Sequence, residues 1–152
     1  MVNLSIIPIN INEPADVEFV CRRHLETPAI WINDYSFSEK ELQDTQEEFI
    51  RSAKQDHLFV LTARSGSNII GFIWGEVTLG KPDSIYIISL WTAPEFRKQG
   101  VATALKQELE KVAKDKGFKK IRTNVYSSNK TILDLNLKLG YKIVRYDLEK
   151  EL

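Results

Sequence analysis

One stretch of the chain concentrates residues with chemical potential: Ile88-Ser89-Leu90-Trp91-Thr92-Ala93-Pro94-Glu95-Phe96-Arg97-Lys98-Gln99-Gly100-Val101-Ala102-Thr103-Ala104-Leu105. A buried strand ends at Pro94, a short basic loop follows, and a long amphipathic helix begins. The first amides of a helix lack intrahelical acceptors and carry about half a positive charge, so such a junction suits a phosphate. Gly100 and Ala102 lack bulk and let a diphosphate approach the backbone, while Arg97 and Lys98 add charge at the rim. Two other phosphate-binding patterns are absent: no Gly-x-x-x-x-Gly-Lys-Ser/Thr occurs, and the dinucleotide fingerprint would need glycines beyond Gly100. A second chemical feature is Glu76, an acid late in the otherwise apolar run Ile69-Ile70-Gly71-Phe72-Ile73-Trp74-Gly75. An acid in such surroundings suits a general base, acting directly or through water, and equally an ordinary strand-end residue.

These residues need a frame. Val2 to Ile9 is apolar and β-branched and predicts a strand. Asn12-Glu13-Pro14 predicts a helix start with Asn12 as cap, and Val17, Val20, Cys21 and His24 share a face of that helix. Ser38-x-x-Glu41 is a capping box that opens a second helix with Leu42, Phe49 and Ala53 inward. Between the two helices, Trp31, Tyr35 and Phe37 stand in an irregular aromatic connection that covers the core or lines an acceptor pocket. Strands are predicted at His57–Arg64, Ile69–Thr78 and Ser84–Thr92, joined by short turns as an antiparallel meander. Helix Gln99–Lys116, strand Lys119–Tyr126, helix Lys130–Leu139 and strand Tyr141–Leu148 complete the chain, and the strand-helix-strand order implies a parallel pairing. The expected fold is α/β, with a mixed, mostly antiparallel central sheet flanked by about four helices in one domain over residues 1–152.

Composition narrows the function. Of the 152 residues, 43% are hydrophobic and 28% charged, ordinary usage for a globular domain. Lys plus Arg (21) balances Asp plus Glu (21), so neither nucleic acid nor an anionic membrane is an expected partner. Cys21 is the only cysteine, which excludes an internal disulfide; with no basic, apolar leader in Met1–Ile9 the expected compartment is the cytoplasm. His24, His57 and Cys21 have no metal-ligand spacing, so no metal is expected.

The strand-loop-helix segment resembles the signature of the GCN5-related N-acetyltransferases, the GNAT superfamily: Arg/Gln-x-x-Gly-x-Gly/Ala, here Arg97-Lys98-Gln99-Gly100-Val101-Ala102 after Pro94-Glu95-Phe96. A second similarity runs from Asn129 to Lys138-Leu139-Gly140-Tyr141 at about the usual distance downstream. The order of elements agrees over almost the whole chain. The resemblance implies a GNAT-like acyl-CoA N-acyltransferase fold and acetyl-CoA as co-substrate, with the acetyl group passed to a primary amine of a small molecule or protein by direct attack. It also implies that Leu90, Trp91 and Thr92 pair with the pantetheine arm as an added strand would. A bulge there would open a cleft beside the Lys119–Tyr126 strand. The Leu90 N–H becomes a candidate oxyanion donor, and the amides of Lys98, Gln99, Gly100, Val101, Ala102 and Thr103, with Arg97 nearby, hold the diphosphate. Asn129 and Asn136 fall at coenzyme-contacting positions. A homodimer is compatible with the family.

Two positions depart from common family residues. Asn136 stands where many relatives carry the tyrosine that protonates the leaving thiolate; it cannot donate a proton usefully and reads more simply as a solvated helix residue than as a catalyst. Asn124 stands where some relatives carry a basic glutamate. Tyr126 and Glu76 are the expected substitutes for acid and base. The alternative reading is a non-catalytic acyl-CoA-binding sensor or interaction module of the same fold.

Overall fold

The structure, a computed structural model, describes residues 4–152. In chain order it contains β1 (Ser5–Pro8), α1 (Pro14–Glu26), α2 (Glu39–Lys54), β2 (Leu58–Ser65), β3 (Asn68–Thr78), β4 (Lys81–Thr92), α3 (Val101–Asp115), β5 (Lys120–Arg122) and α4 (Lys130–Lys138). The five strands form one sheet in the order β1-β2-β3-β4-β5, antiparallel except for the β4–β5 pair. The mixed sheet and its four α-helices match the sequence expectation. Val2 and Asn3, the start of the first predicted strand, lie outside the described residues.

Two cores separate the helices onto opposite faces. Val101, Leu105, Leu109 and Ala113 of α3 pack with Phe59, Leu61, Ile73, Ile85 and Ile87 of the sheet. Val17, Val20 and Cys21 of α1 and Leu42 and Phe49 of α2 pack with Leu58, Val60, Phe72 and Trp74 on the other face. Alternate residues of a strand face opposite sides, so this partition assigns the side chains of β3 and β4 to faces, the alternation being reset at Ile70 and Ile88, which the ladder skips. Gly71 lets α3 sit close, since a Cβ there would come 2.9 Å from Val101 Cγ1, and Gly75 leaves room for Ile85 of β4, whose Cγ2 would lie 2.7 Å from a Cβ.

The capping box forms as expected, Ser38 accepting from the Glu41 amide while the Glu41 carboxylate accepts from the Ser38 amide. The first helix differs. Its N-cap is Glu13, not Asn12, and no side chain caps it. Asn10 Oδ1 instead accepts from the Asn12 amide at 3.0 Å, a local turn that fixes the approach, and Pro14 in the first turn removes one donor that would need a partner. α3 begins at Val101 rather than Gln99 because Gly100 is left-handed at φ 82°.

The largest departure is at the C-terminus. The predicted strand Tyr141–Leu148 is not a strand. Alternating apolar residues make a strand only when another strand offers a ladder. None does here among the described residues, and Val144, Tyr146 and Leu148 stand exposed. The neighbouring strand is likewise shorter than Lys119–Tyr126: β5 pairs only where Ser84, Ile85 and Tyr86 meet Lys120, Ile121 and Arg122.

Candidate active site

Beyond Tyr86 the parallel strands part. β4 carries an irregularity at the same place: Trp74 opposes Ser89 and Gly75 opposes Ile87, which leaves Ile88 without a partner on β3. Such a bulge re-aims the residues that follow it. The Ala93 amide donates to the Ile70 carbonyl on β3 at 2.9 Å. Backbone groups alternate along an antiparallel strand, so Leu90 and Thr92 turn their amides away from β3, toward the gap left by β5. Arg97 Nε donates to the Thr92 carbonyl at 3.1 Å, which ties the basic loop back to the open edge.

The loop forms a concave backbone surface. Lys98 (φ 59°) and Gly100 (φ 82°) are left-handed, and no side chain caps α3. Among the described residues none of the amides from Lys98 through Thr103 donates to an acceptor; the first amide of the helix that does is Ala104, to the Gly100 carbonyl at 2.9 Å. Six consecutive free amides at a helix N-terminus make an anion cradle. Space above Gly100 is open, so nothing obstructs a diphosphate. The donor set therefore fits the coenzyme: Lys98–Thr103 would hold the diphosphate, and the Leu90–Thr92 edge would take the amide-bearing arm. Gln99 Nε2 donates to the Glu95 carbonyl at 2.9 Å and stabilises the preceding turn.

The opposite face of β4 carries different chemistry. Trp74 and Glu76 on β3 stand opposite Ser89 and Tyr86 on β4. Trp74 Nε1 donates to Glu76 Oε1 at 3.1 Å. Burial pushes the Glu76 carboxyl above its ordinary range, and the Trp74 hydrogen bond offsets part of that rise. Trp74 is fixed by Phe49, 4.8 Å away edge-on, and by His24 at 4.6 Å. Desolvation lowers the His24 pKa, which suits a neutral packing residue.

The sequence model of the Acetyltransferase (GNAT) family matches residues 24–141. This chain belongs to the GNAT family of acetyltransferases. Solved structures agree on the fold. A protein of Staphylococcus aureus subsp. aureus assigned to the GNAT acetyltransferases superposes with a TM-score of 0.72 at 24% identity, covering 78% of this chain and 98% of that one. A protein of Pyrococcus furiosus described as an acetyl transferase gives 0.74 at 23% identity over 99% and 100% of the two chains. AAC(6')-Iy, solved with the bisubstrate analog CoA-S-monomethyl-acetylneamine, gives 0.71 at 19% identity over 99% and 98%.

Within this GNAT domain the expected site residues distribute unevenly. Asn129 caps α4, its Oδ1 accepting from the Ile132 amide at 3.3 Å, which leaves its side-chain NH2 free to donate to a ligand. Asn136 is not solvated as expected: it is 3% exposed, and its Oδ1 has no partner. Helix periodicity placed it correctly in α4, but the outward reading failed because α4 turns that position inward. Asn124 is exposed in the unpaired run after β5. Tyr126, 55% exposed, stacks on Trp31 with centroids 4.8 Å apart and planes at 18°. The stack links the connection between α1 and α2 to the loop beyond β5, so two residues expected in separate roles meet. Phe37 packs into the α1–α2 core and Tyr35 is half-buried, while Trp91 meets Phe19 at 5.5 Å and Phe72 at 5.9 Å.

Sequence reasoning passed over Ser89, Trp74, Tyr86 and Lys106. Ser89 had a signal: a lone hydroxyl after the adjacent pair Ile87-Ile88, which breaks alternation as a bulge does. Lys106 had none, since a lysine on a long helix reads as solvated. It is 3% exposed, with Nζ 4.9 Å from the Tyr141 ring, and burial lowers its pKa to about 8. Among the described residues no group of His, Cys, Asp and Glu is arranged to hold a metal ion, and no helix is long and apolar enough to cross a membrane.

Proposed function

We propose that this protein moves the acetyl group of acetyl-CoA directly onto a primary amine of a small molecule or protein, as a single domain in the cytoplasm. The run of acceptor-free amides from Lys98 to Thr103 carries the reading. The α3 face receives the coenzyme and the α1–α2 face receives the amine, with the β4–β5 gap between them.

A lysine-like amine has a pKa of ~10.4, so only about one in a thousand is neutral at pH 7. Glu76 takes the proton, directly or through a water, and its raised pKa brings it nearer that task. The amine nitrogen then attacks the thioester carbonyl carbon. The Leu90 amide donates to the oxygen as charge develops there, in a preorganised position that costs no rearrangement. The carbon–sulfur bond breaks, the acetylated nitrogen gives up its second proton to leave a neutral amide, and Tyr126 or a water delivers a proton to the thiolate. A thiol pKa of ~8.5 makes that last proton the least demanding of the three tasks. Trp31 and Tyr126 cover the acceptor side as a stacked pair.

The test is release of free thiol from acetyl-CoA by the purified protein across polyamines, aminoglycosides, amino acids and peptides, beside calorimetry with acetyl-CoA alone. The likeness to AAC(6')-Iy is a reason to include aminoglycosides early. Coenzyme binding with amine-dependent thiol release is the expected result. Binding without release from any amine would support the sensor alternative, and no binding at millimolar coenzyme would remove both.

A further inference from the structure

The segment after α4 has no place in the sheet of its own chain. From Lys142 to Leu152 every residue is exposed, and among the described residues none of these backbone groups hydrogen-bonds to another. Ile143, Val144, Tyr146 and Leu148 put apolar surface into water. An exposed run of β-branched and aromatic residues with unpaired amides and carbonyls is a template for strand pairing. Arg145 Nε and Asp147 Oδ1 lie 3.4 Å apart, so side chains two residues apart share a side, as they do in a strand. Tyr141 pins the start of the segment: its amide donates to the Asn136 carbonyl at 3.0 Å, and Lys106 Nζ stands 4.9 Å from its ring.

A sheet edge of matching pattern is open. β5 is the outermost strand and pairs with β4 on one side only. Ile121, opposite Ile85, faces the α3 core, so Thr123 and Val125, both half-buried, follow on that face. Lys120, Arg122, Asn124 and Tyr126 take the other face, where Tyr126 stacks on Trp31. An antiparallel ladder with Arg122 opposite Asp147 suits both segments at once. Lys120 then meets Glu149, Asn124 meets Arg145 and Tyr126 meets Ile143. On the α3 face Ile121 meets Leu148, Thr123 meets Tyr146 and Val125 meets Val144. Two opposite-charge pairs on one face and apolar or β-branched pairs on the other are the contacts that stabilise a sheet. Other registers lose this match. A slip of one residue exchanges the two faces. A slip of two sets Arg122 against Arg145 in one direction and Ile121 against Lys150 in the other.

We propose that two copies of this chain exchange these segments, residues 143–149 of each adding as an antiparallel strand to the open β5 edge of the other. A two-fold exchange pairs both edges within one closed assembly and leaves none to propagate. The added strand also holds Thr123–Tyr126 extended, which fixes the wall of the gap that faces Leu90–Thr92. The exchange does not depend on the transferase reading, and its test uses no acetyl-CoA.

The experiment is sedimentation of the purified chain with paired charge reversals. The wild type should be a dimer of the 17.5 kDa chain at micromolar concentration. Arg122→Glu and Asp147→Lys should each weaken the dimer by about tenfold or more, because each sets like charges opposite one another at both contacts. An equimolar mixture of the two variants should regain the wild-type affinity, since every contact in the mixed dimer again joins opposite charges. Pairing within one chain gives no such rescue. Lys120→Glu mixed with Glu149→Lys, at fully exposed positions, should behave in the same way. Amide hydrogen exchange should be slow over 143–149 and 122–126 in the wild type and in the mixtures, and fast in each variant alone. A wild type that stays monomeric overturns the proposal, and so do variants that dimerise unchanged or mixtures that remain monomeric. A dimer whose amides at 143–149 exchange freely overturns it equally, because the contact then lies elsewhere.

Discussion

The two faces of β4 are built by different means. On the α3 side the site is backbone: six free amides, two left-handed residues and a glycine with open space above it. On the α1–α2 side it is side chain: a half-buried carboxylate held by a tryptophan, and a stacked aromatic pair. A backbone site tolerates most residue changes that keep the local conformation. A side-chain site depends on each group that supplies an acceptor or donor. On the proposed function, one face would bind a constant coenzyme while the other adapts to a particular amine.

Two substitutions sharpen or break this contrast. Glu76→Gln should have the largest effect, lowering kcat/KM for the amine by about a hundredfold with acetyl-CoA binding intact. The sign of the pH dependence follows from the raised pKa. Glu76 must be ionised to accept a proton, so wild-type kcat/KM should rise with pH along a limb above the ordinary carboxylate range, and the variant should lose that limb. A pH–rate profile unchanged in Glu76→Gln would take the base off this face. Gly100→Val should act on the other side, weakening acetyl-CoA binding by about tenfold in calorimetry, because a β-branched residue at φ 82° strains the cradle by about 1–2 kcal/mol. Comparable losses from truncating the exposed Arg97 and Lys98 side chains would show that side-chain charge, not backbone, does the binding.

The smallest effect concerns neither face directly. Lys106→Met should stabilise the fold at pH 7 by about 2 kcal/mol, since burial holds the wild-type amine at a pKa of about 8 against an ordinary 10.5. The folded chain releases this proton more readily than the unfolded chain does. Wild-type stability therefore rises with pH between about 8 and 10.5, and the advantage of the variant should shrink over that window in thermal melts at both ends. A constant difference across the window would mean that the ammonium is satisfied where it lies.

Much of the molecule was legible in the residues. The capping box at Ser38 and Glu41, the apolar stripe of α3 and the meander of β2 to β4 formed as read, because each depends on contacts a few residues apart or on a strong period. The cradle was legible for the same reason: a glycine before an amphipathic helix specifies free amides whatever surrounds it. Misreadings fell where a distant partner decides. Tyr141–Leu148 alternates like a strand and finds no ladder. Asn136 and Lys106 carry polar side chains that sequence alone turns outward, yet both are buried.

By itself, then, the order of residues determined the family, the helix faces and the acceptor-free backbone ahead of α3, all properties of neighbouring atoms along the chain. Tertiary structure decided the rest: that β4 and β5 part after Tyr86, that one unpaired isoleucine turns Ser89 toward Glu76, and that Trp31 meets Tyr126. Those outcomes depend on strand register and on which surfaces exclude water together, and a single-residue shift in register would send each of these side chains to the other face.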